Sequence, residues 1–243
     1  MTLVQVSQRW TSSSPFALTD LTDLTDLTDH PSSINNRATS NVRTDLSEED
    51  RASYSQSVFT DFLSSDSISD AVAAASELVI PGFGPTLVSI GINRAYDTPH
   101  AAEQAKICGL IVELVANKVV TMDDVRSTIE AQTKCLDDTM LDVPAAPKIL
   151  GDVLGGVIAK GLLEGAVLGE LVSLEVMEGA EARRGLLAAA LLQINAAHGQ
   201  QAMIDAVAGL EIAALMAKDD EFEAHLESTE EFLTAAGLAC FCA

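Results

Sequence analysis

LDDTMLDVPAAPKILGDVLGGVIAKGLL, residues 136–163, decides how the chain is read. Its second half is an apolar run entered through Pro144 and Pro147. Proline lacks the backbone N–H that a helix interior needs, but it is tolerated in a first turn. The two prolines therefore set a helix boundary, and residues 136–147 read as a connector between that helix and the one before it. Leu136, Leu141 and Val143 are the apolar residues expected to anchor this corner, and Asp137, Asp138 and Asp142 are its acids. The i, i+4 spacing of Gly151-Gly155, repeated at Gly165-Gly169, suits close helix approach, which offsets the roughly 0.5–1 kcal/mol that each mid-helix glycine costs. GDVLGG is not a phosphate loop, because it lacks the lysine and follows a proline-started helix rather than a strand.

The same logic runs outward. LSEEDRASYSQSVFTDFLSSD (46–66) opens with Ser47 as N-cap and Asp50 three residues on. Tyr54, Val58, Phe59, Phe62 and Leu63 then mark one buried helical face. SISDAVAAASELV repeats the device with Ser67 and Asp70. IPGFGP (80–85) is a connector, and Pro85 takes the first position of the next helix. Thr98-Pro99 caps HAAEQAKICGLIVELVANKVV, and Thr121 with Asp124 caps TMDDVRSTIEAQTKCL. Four further helical segments are expected near 165–178, 180–197, 200–217 and 219–237. No stretch alternates with the two-residue period of a strand.

About ten helices with short connectors predict an all-α, helical-repeat (HEAT-like) solenoid of antiparallel helix pairs. Composition agrees, being 48% hydrophobic but only 4% aromatic. Residues 1–45 stand apart, with Ser-, Pro- and Asn-rich stretches around a tandem LTDLTDLTDLTD at 18–29. They read as a disordered low-complexity arm. The helical domain then spans 46–243, with a core at 46–164 and additional helices over 165–243.

Charge and motifs narrow the function. The formal net charge is −22, from 14 basic against 36 acidic residues, and the longest basic run is Arg183-Arg184. Direct binding to nucleic acid or to an anionic membrane is disfavoured, whereas a basic protein partner is compatible. No run reaches the roughly 18 apolar residues of a membrane span, and no signal-peptide pattern opens the chain. A cytoplasmic location is expected. The four cysteines show no framework spacing and read as buried free thiols. His30, His100, His198 and His225 stand apart from any nucleophile–base arrangement. Cys240-Phe241-Cys242 lacks the second ligand pair of a zinc site. The chain reads as no enzyme, with no catalytic residue, metal or cofactor.

In order, the aromatic pair Phe59 and Phe62, then SISDAVAAASEL, PGFGP, Leu87-Val88, KVVTMDDV and finally the stretch at 136–163 resemble the MI (MA-three) domain of translation factors. Through GELVSLEVMEGAEARRGLLAAALLQINAAHGQQAMID (169–205) the likeness is most to the C-terminal region of eukaryotic translation initiation factor 4G. Ser89 and Gly91 stand where relatives often have lysine and alanine, and Asn93 and Arg94 interrupt a face that is usually more apolar. The resemblance implies binding to initiation factor 4A, the DEAD-box RNA helicase, and a place among translation initiation factors. It assigns the helicase contact to Asp138 and Asp142; Asp137 and Pro144 of the same corner are further partner-binding candidates, and Phe83, between Gly82 and Gly84, is a weaker one that reads also as a core plug. On this reading Asp138 ends one helix and Asp142 flanks or caps the next, with both carboxylates offered to basic residues. Two alternatives stay open. One is a structural module binding a different basic protein, and the other is a competitive repressor like programmed cell death protein 4.

Overall fold

The computed structural model describes residues 46–78, 80, 82–173, 176–177, 179–218 and 223–242. The arm at 1–45, with its LTD repeat, lies outside the described residues. The described elements are all helical: α1 (Glu48–Ser65), α2 (Ile68–Ser76), α3 (Phe83–Tyr96), α4 (Ala101–Ala116), α5 (Met122–Thr133), α6 (Leu136–Asp142), α7 (Ala146–Ala159), α8 (Ala166–Leu171), α9 (Ala180–His198), α10 (Gln200–Ala206), α11 (Ile212–Leu215) and α12 (Thr229–Ala235), with a final 3-10 turn at Ala239–Phe241.

The capping residues do what their chemistry dictates. Ser47 Oγ accepts from the Asp50 N–H at 3.1 Å, and Ser67 Oγ accepts from the Asp70 N–H at 3.4 Å. Thr121 and Asp124 close a reciprocal capping box, with Asp124 Oδ2 accepting from the Thr121 N–H at 2.9 Å and Thr121 Oγ1 accepting from the Asp124 N–H at 3.2 Å. A second box, Ser228 with Glu231, opens α12. The sequence carried its S-x-x-E signature inside a stretch that otherwise reads as a solvated acidic face.

Two starts differ from expectation. Helix α3 begins at Phe83, so Pro85 occupies the third position of its first turn, where a missing N–H costs nothing. Thr98 does not cap α4: His100 is the N-cap, and Thr98 Oγ1 instead donates to the Arg94 carbonyl at 2.7 Å. Asn93 and Arg94 are exposed, leaving the apolar face of α3, from Leu87 and Val88 to Ile92 and Ala95, uninterrupted. Gly91 has a steric reason: a Cβ there would fall 2.5 Å from Cζ of Phe59, which is fully buried. Each such buried large side chain contributes roughly 1.5–3 kcal/mol.

Neighbour relations reveal the repeat. Along α4 and α7, Cys108 meets Ile149, Val112 meets Gly156, and Glu113 pairs with Lys160 at 2.7 Å. Along α7 and α9, Pro147 lies beside Gly185, Gly151 beside Ala189, Gly155 beside Gln193, and the Ala159 carbonyl beside His198. Numbers rise together in both series, so α4, α7 and α9 run parallel. Arg51 with Gly82 and Phe59 with Gly91 show the same for α1 and α3. Only residues 97–100 separate α3 from α4, which packs against it, so that pair must reverse direction. Reversing neighbours within one layer of parallel alternates is the solenoid geometry.

The α7–α9 contact is the most extensive between described helices, and glycine is what lets it form. A Cβ at Gly151 or Gly155 would strike the carbonyl oxygens of Leu186 and Ala190, and one at Gly165 the carbonyl of Ala206. The first pair brings α7 and α9 into backbone contact, whereas in the second only Gly165 meets backbone and Gly169 faces the Leu210 side chain. The later helices are shorter than periodicity suggests: of the segments expected at 165–178, 200–217 and 219–237, only α8, α10 with α11, and α12 form among the described residues. Only α9 has the expected length.

Candidate functional site: an acidic corner

The stretch at 136–147 is more structured than a connector. Residues Leu136–Asp142 form α6, a helix of seven residues. Leu136 is fully buried, and Val143 packs half-buried on the core. The residue before a proline is driven out of the α region, and Val143 accordingly sits at φ −129° and ψ 83°. Its N–H still closes onto the Thr139 carbonyl at 2.8 Å, while the Ala146 N–H donates to the Val143 carbonyl at 2.9 Å. Pro144 thus joins α6 to α7 through a fixed corner. Pro147 sits within the first turn of α7 and Pro144 just ahead of it.

This changes the position of each acid. Asp138 does not end a helix; it lies in the first turn of α6, where the helix dipole favours an anion. Asp142 is the last residue of α6 and caps nothing, since α7 is preceded by Ala145 and has no side-chain cap. Both carboxylates are exposed, and neither makes a hydrogen bond or ion pair among the described residues. Their i, i+4 spacing puts them on one helical face. Between them stands Leu141, which does not anchor the corner: it is 83% exposed, the most exposed large apolar residue described.

Asp137, exposed like its neighbours, is engaged within the chain. Its Oδ2 accepts from the Gly179 N–H at 3.3 Å, at the start of α9. Burial pulls the Arg183 guanidinium below its ordinary value, and the carboxylates of Glu223 and Asp137 act against that shift. Phe83 is 1% exposed and fills the core at the head of α3, so it offers no surface to a partner. Of the candidate residues, the structure brings together Asp138, Asp142 and Pro144, while Asp137, also exposed, is tied to the Gly179 N–H.

Sequence reasoning missed the paired arginines behind this corner. Arg183 and Arg184 are 1% and 3% exposed. Arg183 donates to the carbonyls of Met177 (2.8 Å), Leu215 (3.2 Å) and Ala217 (2.7 Å). Arg184 donates to the carbonyls of Met216 (2.8 Å) and Glu227 (2.9 Å) and to Thr229 Oγ1 (3.2 Å), and its guanidinium lies 5.4 Å from the Phe232 ring centre. They bind the chain beyond α10 to the start of α9. The signal was the arginine pair itself, opening an otherwise apolar helix.

The remaining chemistry is sparse. Cys108 is buried, as expected, but Cys135 and Cys242 are exposed and Cys240 is half-buried, so the thiols are not all core residues. Among the described residues no cluster of three His, Cys, Asp or Glu side chains is placed to hold a metal, and no helix is long and apolar enough to cross a membrane.

Comparison with known proteins places this geometry. No curated protein matches the chain. Residues 53–164, a little under half of the chain, match the family model of the MA3 domain, which covers α1 through α7 and so includes the acidic corner. MA3 domains are helical protein-interaction modules of translation-related proteins. Over residues 53–164 the chain is similar to the MA3 domain.

Proposed function

We propose that the chain is a cytoplasmic scaffold or regulator of translation initiation that binds the DEAD-box RNA helicase initiation factor 4A through the corner formed by α6 and Pro144. The observation that carries this reading is the exposed face of α6. Two unengaged carboxylates, Asp138 and Asp142, flank a leucine that is 83% exposed, on a backbone fixed by Pro144.

Such a face combines charge with an apolar anchor. Carboxylates on a rigid element suit bidentate arginine recognition, because little side-chain freedom is lost on binding. An ion pair left at a solvated rim is worth only about 0.2–1 kcal/mol. Leu141 changes that balance: covering it would exclude water from the flanking pairs, and close charge pairs at interfaces reach roughly 1.5–7 kcal/mol of coupling. The similarity to the C-terminal region of factor 4G favours an assembling role over competition of the kind programmed cell death protein 4 exerts.

The test is direct titration of the purified full chain with the helicase by calorimetry at two salt concentrations. Saturable one-to-one binding that weakens with salt is expected. A folded chain that fails to bind, or that binds with no salt dependence, would overturn the reading.

A further inference from the structure

A groove of about 390 Å³ opens beside the acidic corner, and its two walls come from different parts of the chain. Met140, Pro144 and Pro147 line it from the corner and the start of α7, and Leu226 and Phe232 from the C-terminal stretch. The C-terminal wall is not part of the matched MA3 segment. It is held in place by Arg184, whose guanidinium donates to the Glu227 carbonyl and Thr229 Oγ1 and lies against Phe232.

The charges lining this groove are unequal. Its two cations are already engaged. Lys148 pairs with Asp152 at 2.5 Å, and Arg184 is bound by three oxygen acceptors. Glu181 and Glu227 also line it; both residues are exposed, and their carboxylates have no partner among the described residues. An apolar lining that also carries two unengaged carboxylates complements a long cationic side chain, which lays its methylenes on apolar surface and holds its charge at the rim.

We infer that this groove is a second contact for the partner bound at the corner, and that it receives an arginine- or lysine-bearing segment of that partner between Glu181 and Glu227. The inference rests on the proposed function, and it gives the C-terminal stretch a role in recognition. Arg184 is a positioning residue in this scheme: it fixes the wall and does not touch the partner.

The experiment titrates the full chain with the helicase, comparing wild type, Glu181→Arg/Glu227→Arg, the shape-preserving Glu181→Gln/Glu227→Gln, and Asp138→Ala/Asp142→Ala. All four are first matched for thermal unfolding. The groove predicts at least a tenfold loss of affinity for the arginine pair and a smaller loss for the glutamine pair, with protection from hydrogen exchange at 223–232 in the wild-type complex. If the helicase binds, the corner variant loses binding and the groove variants do not, the groove is overturned while the corner stands. No binding by the folded wild type overturns both. Should the arginine pair unfold, the glutamine pair and the exchange measurement decide alone.

Discussion

The Nε of Arg184 donates to the carbonyl oxygen of Met216 at 2.8 Å, across 32 residues of sequence and inside the protein. A guanidinium is costly to bury unless its donors are satisfied, and here backbone oxygens satisfy them. The bond fixes the segment beyond α10 against α9, so Met216 and Leu233 reach full burial. Replacing Arg184 by methionine takes the donor from the Glu227 carbonyl and leaves the Met216 carbonyl only the long 3.5 Å bond from Thr229 Oγ1. A loss of about 2–4 kcal/mol in urea unfolding is expected. Arg126→Met is the control: its ion pair with Glu170 is 46% and 58% exposed, so a change of at most ~1 kcal/mol is expected. Equal effects from the two variants would refute the clamp.

Glycines in this fold divide by what faces them. Gly155→Ala forces a methyl onto the Ala190 carbonyl and should destabilise by roughly 1–3 kcal/mol. Gly109 lies within α4 and faces open space, so Gly109→Ala should stabilise by about 0.5–1 kcal/mol. Chemical unfolding of the two variants side by side reads both signs at once.

Cys108 should be the unreactive thiol. Burial, with the nearby Asp152 carboxylate, pushes it up to about 12, and its Sγ lies 3.7 Å from the Ile149 carbonyl. Maleimide followed by mass spectrometry should label Cys135 and Cys242 in the native protein and Cys108 only after unfolding. The same shift has a sign in pH. Between the ordinary thiol range and about 12, the unfolded chain loses this proton while the folded one keeps it, so stability falls as pH rises through that window. Cys108→Ala should flatten that alkaline slope.

Tyr96 offers a gain. Its hydroxyl is buried with no hydrogen-bond partner among the described residues, and burial holds the phenol well above its ordinary value. Removing an unsatisfied polar atom while keeping the ring should be neutral or stabilising by up to ~1 kcal/mol. Thermal unfolding of Tyr96→Phe checks it, and a clear loss would mean the hydroxyl has a partner such as ordered water.

Apart from α6, read as a connector, helix identity was legible through about residue 160 because caps, prolines and apolar periodicity agree there: Ser47, Ser67 and Thr121 each cap the helix they were expected to cap. Beyond α9 those signals separate. The C-terminal stretch is held by Arg183 and Arg184 reaching backbone oxygens more than 30 residues away. Periodicity carries no trace of such contacts, so the expected long helices broke into short ones. At the site, residue types were readable but directions were not. Leu141 looked like an anchor because it is apolar, yet α6 adds a helical turn that rotates it outward. Phe83, flanked by glycines, read both as a loop contact and as a core plug, and α3, which begins there, buries it as a plug. Asp138 and Asp142 keep their candidacy on a different physical basis, as neighbours on one short helix rather than the ends of two.

The most direct measurement of the central claim is the affinity of the full chain for the helicase, with Asp138→Ala/Asp142→Ala compared against wild type. Both carboxylates are exposed and cap nothing, so the double variant should fold normally, which circular dichroism and unfolding will establish. Affinity should fall at least tenfold, with Leu141→Ala giving a separate loss. Undiminished binding by the folded double variant would contradict that claim.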